Sequence, residues 1–180
     1  MDENIQLLDF ISQNSQMGIV SINELLTIVE DNKFREQLNS QLEEYKKINC
    51  IAQKHLSSRG YDEKQLSSFS KIRTYIMIDM QTIKDKSNSH IAEMMMIGSN
   101  MGIIKAIRDT HRCKNADKEI LELMNNLCKT EENNIEHLKN FLWFVVVVFL
   151  IFRQARCLLN FSQKLSFSSN AKVHLATFGS

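Results

Sequence analysis

The chain of 180 residues contains no proline and only five glycines. These two residues form many of the tight turns in proteins, so a chain with so few of them is poorly suited to the hairpins of an all-β fold. The length suits one domain with a single sizeable core. The shortage of turn formers therefore predicts an all-α fold made of long helices.

The four cysteines are widely scattered, and none forms a Cys-x-x-Cys pair. This spacing argues against a zinc site or a redox dithiol. Most of them fall in helical patterns, where a free cysteine behaves as a small hydrophobe. The chain starts Met-Asp-Glu-Asn, without the basic and apolar regions of a signal peptide. We therefore expect a cytoplasmic location for the main domain.

Acidic residues are absent from the last part of the chain. All 21 acidic residues lie in 1–140, against 18 Lys and Arg, which gives that segment a net charge of −3. Residues 141–180 carry four basic residues and no acid. A mildly acidic body is not expected to bind nucleic acid. The composition divides the chain into a helical domain over 1–140 and a tail over 141–180.

Apolar residues recur at helical spacing in four long segments. These segments cover 3–30, 34–56, 90–110 and 116–138. Asp31 and Asn32 are suitable N-cap residues for the second helix, Gly60 a suitable end, and Ser89 a suitable cap for the helix over 90–110. A loop over 61–68 and a shorter helix over 69–84 fill the interval between the second and third segments. The helix over 90–110 is apolar on nearly every side, which is typical of a central, buried helix.

These elements predict four main helices packed antiparallel around one core, with one interrupted helix and a hydrophobic C-terminal extension. Within this bundle, one glutamate on each main helix falls on or beside an apolar face. The four are Glu24, Glu44, Glu93 and Glu131. Asn134 lies at the edge of the same face as Glu131. A buried carboxylate pairs, protonates or binds a metal, so these residues are candidates either for structural pairing, with Lys47, Lys105 or Tyr45, or for a metal site.

The order and lengths of the helices, with the long interval between the second helix and the later pair, resemble the ferritin-like class of bundles. More narrowly, residues 3–140 resemble small uncharacterised bacterial proteins of this type. The resemblance implies an iron or manganese site held by Glu24, Glu44, Glu93 and Glu131, with Asn134 in an outer position. The chain lacks the Glu-x-x-His motif of metal-active members, because Lys47 follows Glu44 at that spacing and Asn134 follows Glu131.

The tail begins with an apolar run of 12 residues over 141–152. As a helix this run would be about 18 Å long, shorter than a hydrocarbon core of about 30 Å. A span over 141–161 includes Arg153 and Arg156, which could reach the membrane surface. Three interpretations remain open for 141–180: a membrane anchor, a partner-binding or oligomerising extension, and an altered reading frame.

No catalytic motif stands out, since the chain has no Gly-x-Ser-x-Gly sequence and no phosphate-binding loop. We therefore expect a non-catalytic structural or interaction module that self-associates or binds another protein. One alternative is a carboxylate-based protein that binds iron or manganese. Another is a cytoplasmic bundle anchored to the membrane by its tail.

Overall fold

The computed structural model describes residues 2–61 and 84–142. Its helices are α1 (Glu3–Leu25), α2 (Asn32–Ser58), α3 (Asn88–Arg112) and α4 (Lys118–Leu138), followed by a short 3-10 helix, Lys139–Phe141. The described residues contain no strand, which confirms the all-α prediction. None of the helices in this part of the chain combines the length and hydropathy needed to cross a membrane.

Some sequence predictions concern residues that the structure does not describe. Three predicted segments lie almost entirely outside the described ranges: the loop over 61–68, the helix over 69–84 and the tail over 141–180. The described residues belong to one compact unit, Met1–Leu142. The fold and the sites below belong to this unit.

Side-chain caps mark the starts of α1, α2 and α3. The Asp31 carboxylate accepts a hydrogen bond from the Phe34 amide at 2.8 Å, as predicted for the start of α2. Gly60 has a φ of 77°, a left-handed conformation that glycine adopts without steric cost, and it follows the end of α2 as expected. The cap of α3 is Ser87 rather than Ser89, so α3 begins two residues before its predicted start at 90.

The apolar stripes of α1 and α2 form most of the core. All seven members of the predicted α2 stripe are buried: Phe34, Leu38, Leu42, Tyr45, Ile48, Ala52 and Leu56. The α1 stripe is buried through Leu7, Ile11, Ile22 and Leu25. The 3.6-residue period therefore identified the inward faces of both helices.

Polar contacts between helices fix their relative directions. On the seam between α1 and α2, Gln53 donates to the Ser12 hydroxyl at 2.6 Å and Asn49 donates to Ser15 at 3.1 Å. Because the residue number falls along α2 as it rises along α1, these two helices run in opposite directions. Tyr45 meets Glu131 and Arg59 meets Asp117, so α2 and α4 also run in opposite directions.

The helix ends meet at one end of the unit. The Asn115 amide, in the turn after α3, donates to the Glu3 carboxylate at 2.7 Å. The Asp117 amide donates to the Asn4 side chain at 2.7 Å, and Arg59 pairs with Asp117 at 2.9 Å. The start of α1, the end of α2 and the turn between α3 and α4 therefore lie together.

The prediction that α3 is buried on nearly every side is wrong. Ile91, Ala92 and Ala106 are buried, but four large apolar side chains of the same helix are exposed. These are Ile97, Met101, Ile104 and Ile107, exposed by 56%, 68%, 57% and 48%. A helix that packs chiefly against one neighbour covers only one face, so apolar composition on the other face does not imply burial.

Two helical glycines differ in the space around them, and this difference predicts opposite effects of alanine. A Cβ at Gly18 would lie 2.7 Å from the buried Tyr45 ring, whereas a Cβ at Gly98 meets no heavy atom within 4 Å. We expect Gly18→Ala to lower the free energy of unfolding by about 1–3 kcal/mol, because it overpacks the core. Gly98→Ala should raise it by up to about 1 kcal/mol through helix propensity. Urea unfolding of both variants tests this, and equal effects would contradict the close approach at Gly18.

Candidate functional site

A hydrogen-bonded polar cluster lies in the interior between α2 and α4. The Tyr45 hydroxyl donates to Glu131 Oε2 at 2.7 Å, and Asn134 Nδ2 donates to the Tyr45 oxygen at 3.4 Å. Glu131 is 3% exposed, Tyr45 5% and Asn134 5%. These three residues form a connected network that is shielded from water.

The helical period of α4 places Glu131 inside. Leu127 and Leu138, on the same face of α4, are 2% and 0% exposed, so the carboxylate is carried into the core with them. The predicted inward position of Glu131 is confirmed, and Asn134 is buried beside it. Of the pairing partners expected for such a carboxylate, the structure supplies Tyr45.

Burial dominates the electrostatics of this cluster. Removal from water raises the pKa of Glu131, although hydrogen bonds from the Ser99 and Tyr45 side chains favour the charged form and partly offset this effect. Burial also raises the pKa of Tyr45 well above its usual value, and the neighbouring Glu131 charge acts in the same direction. Tyr45 is therefore a neutral donor, and Glu131 is the group whose charge changes most readily.

α1 and α3 contribute the remaining sides of the cluster. A Cβ at Gly102 of α3 would lie 2.7 Å from the Asn14 amide nitrogen and 3.7 Å from Glu131 Oε1. Ser99, one turn earlier on α3, is 7% exposed. Since Gly102 has no side chain, α3 approaches both Asn14 and the carboxylate closely.

A cavity of about 150 Å³ lies beside this cluster. Glu131, Tyr45 and Ser99 provide polar lining, together with Asn14 and Ser21. The rest of the lining is apolar or small: Met17, Gly18, Ile22, Leu25, Met94, Met95 and Gly98. The cavity therefore joins a buried carboxylate to an apolar wall.

The other predicted metal ligands do not join Glu131 in the core. Glu44 is exposed and pairs with Lys47 at 3.1 Å on the surface of α2. Glu93 is also exposed, so its expected place on a buried face is wrong, and Glu24 is half-buried near the end of α1. In the two described ranges, no three His, Cys, Asp or Glu side chains form a group able to hold a metal ion. The described positions therefore do not fit the iron or manganese site implied by the ferritin-like resemblance.

Sequence reasoning missed the contributions of α1 and α3 to this site. Ser99 and Gly102 lie on the face of α3 that also carries the buried residue Ala106. The row of small residues Gly98, Gly102 and Ala106 predicts close approach of another helix to α3. Gly102 is approached in this way, whereas a Cβ at Gly98 would meet no heavy atom within 4 Å. Nothing in the spacing showed that Asn14 would be the group approached.

The raised pKa of Glu131 predicts that the stability of the fold depends on pH. The pKa of Glu131 is about 4.5 in the unfolded chain and higher in the folded protein, so between these two values the unfolded chain releases a proton that the folded protein keeps. The free energy of unfolding therefore falls as pH rises through this range. Glu131→Gln keeps a side chain of similar shape without this ionisation. Its free energy of unfolding, relative to the natural protein, should therefore increase as pH rises from 4 to 8.

Urea unfolding across this pH range measures the effect. Glu132→Gln, which changes an exposed neighbour on the same helix, corrects for the loss of one negative charge. If the differences for Glu131→Gln and Glu132→Gln follow the same pH course, the assigned effect of burial is contradicted.

Comparisons of the chain with protein-family models, with curated proteins and with solved structures return no match.

Proposed function

We propose that this chain is a non-catalytic interaction module with a ferritin-like bundle, and that it self-associates through the exposed apolar face of α3. The observation that carries the proposal is the row of Ile97, Met101 and Ile104, each more than half exposed. Large contiguous apolar patches on a folded protein mark interaction surfaces. The partner that this surface fits best is a second copy of the same chain.

Helix directions support a ferritin-like topology. The C-terminal ends of α2 and α3 both lie near the start of α1, since Arg59 contacts Asp117 and Asn115 contacts Glu3. The two helices therefore run in the same direction, and the chain between them must connect opposite ends of a helix about 37 Å long. One long connection between the second and third helices is a feature of ferritin-like bundles. This arrangement supports the class assignment without requiring its metal site.

The exposed face of α3 is self-complementary when two copies pack antiparallel about a twofold axis. Residues 97 and 104 lie at equal distances on either side of the midpoint between residues 100 and 101. With the axis at this midpoint, Ile97 of one copy opposes Ile104 of the other, and the Met101 side chains meet near the axis. A twofold axis generates each such pair twice, so the apolar row of one copy covers the same row of the other copy.

Charge supports the same register. Glu93 and Arg108 are exposed on this face and lie equally far from the same midpoint. In the antiparallel pair, each Glu93 therefore lies opposite Arg108 of the other copy at both ends of the apolar row. In a parallel pair, like charges would face each other instead, which disfavours that arrangement.

Met101→Glu tests the apolar contact. It places two like charges near the twofold axis and should raise the dimer dissociation constant about a hundredfold. Ile51→Glu is the matched control, because Ile51 is an exposed isoleucine of α2, outside the proposed surface. Sedimentation equilibrium of the full chain measures both, with circular dichroism to verify folding. A monomer at all concentrations, or equal effects of the two variants, would refute the proposal.

Charge exchange tests the register. Glu93→Arg places like charges together and should weaken the dimer, whereas Glu93→Arg combined with Arg108→Glu restores opposite charges and should recover most of the affinity. Failure of the double variant to recover while Met101→Glu still weakens the dimer would contradict the antiparallel register.

A further inference from the structure

The cavity beside the polar cluster combines two features that together indicate a ligand. Its wall is largely apolar and includes three methionines, Met17, Met94 and Met95, whose flexible side chains adapt to the shape of a ligand. Its polar end carries the carboxylate of Glu131, which is almost fully buried. A concave apolar site with a few convergent polar groups is typical of small-molecule binding.

Glu131 lacks a positively charged partner in the described part of the chain. No Lys, Arg or His side chain there forms an ion pair with it. The side chains that α2 and α3 present to it are Tyr45 and Ser99, and α1 contributes Asn14 nearby. Of these groups only Tyr45 is titratable, and it is a neutral donor. Within the described part of the chain, a cation that entered the cavity would therefore meet a buried carboxylate with no positive side chain paired to it.

The two carboxylate oxygens differ in their surroundings. Oε2 accepts the Tyr45 hydrogen bond at 2.7 Å. Oε1 lies on the side of Gly102, close to the α3 backbone, and Glu131 also lines the cavity. An ammonium group has three donors and no acceptor. It therefore suits a carboxylate whose other oxygen already accepts a hydrogen bond from a neutral donor. A carboxylate ligand would instead place two like charges together.

We propose that this cavity binds a small primary ammonium ion, with its charged group on Glu131 and its hydrocarbon against Met17, Met94 and Met95. A volume of about 150 Å³ accepts a molecule the size of benzene, with about six heavy atoms. The ligand class is therefore a short branched or cyclic alkylamine.

Isopentylamine is a suitable probe, with isopentanol as the neutral molecule of nearly the same shape and 2-methylpropanoate as an anion with the same number of heavy atoms. In the full chain with methionine methyl groups labelled with ¹³C, isopentylamine at pH 7.5 should shift the signals of Met17, Met94 and Met95. Met101 should not shift, because it is 68% exposed and does not line the cavity. Isopentanol should bind about tenfold more weakly or worse, and the anion should not bind.

Two variants locate the binding site. Glu131→Gln should reduce affinity for isopentylamine about tenfold or more while leaving isopentanol nearly unchanged, and Glu132→Gln should alter neither. Gly98→Leu adds a side chain at the lining without a clash at its Cβ and should weaken both ligands. The proposal is overturned if isopentylamine shifts none of the three methionines, if isopentanol binds equally well, or if amine binding survives Glu131→Gln undiminished.

Discussion

The hydrogen bond from Tyr45 to Glu131 is the constraint on which the interior of this bundle depends. A carboxylate that is 3% exposed requires polar partners, and the nearest one comes from a different helix. Keeping that partner at 2.7 Å fixes the register of α2 against α4. It also holds the Tyr45 ring where a side chain at Gly18 would collide with it, so α1 packs against α2 with no side chain there. The cavity lies at the same junction.

Helical periodicity predicted the parts of this fold that depend on a single helix. The stripe from Phe34 to Leu56 is buried as expected, and Asp31 and Gly60 are found at the predicted boundaries of α2, because caps and stripes are local properties of the chain. The same reasoning failed for α3. Its apolar residues surround the helix, so their pattern could not show which side a neighbour covers. That depends on how many helices pack around it, which is a property of the whole bundle.

The candidate site was likewise predictable only where the pattern of a single helix determined it. Glu131 was identifiable because a charge inside an apolar stripe is unusual, whereas Glu93 satisfied the same test only because the apolar face around it was assumed to be buried. Convergence of side chains from different helices depends on their relative rotation and register, which no single stripe specifies. Gln41 illustrates this limit. Its position beside Leu38 and Leu42 on the apolar stripe agrees with its burial, since it is 1% exposed. The stripe could not show that neither of its amide atoms would have a hydrogen-bond partner in the described ranges.

A double-mutant cycle on Tyr45 and Glu131 measures whether their hydrogen bond couples α2 to α4. The free energy of unfolding at pH 7.5 would be measured for Tyr45→Phe, Glu131→Leu, the double variant and the natural protein. If the hydrogen bond organises the α2–α4 contact, the effects of the two changes should differ from additivity by about 1 kcal/mol or more. Additivity within about 0.3–0.5 kcal/mol would show that the two residues do not interact energetically and would contradict this account.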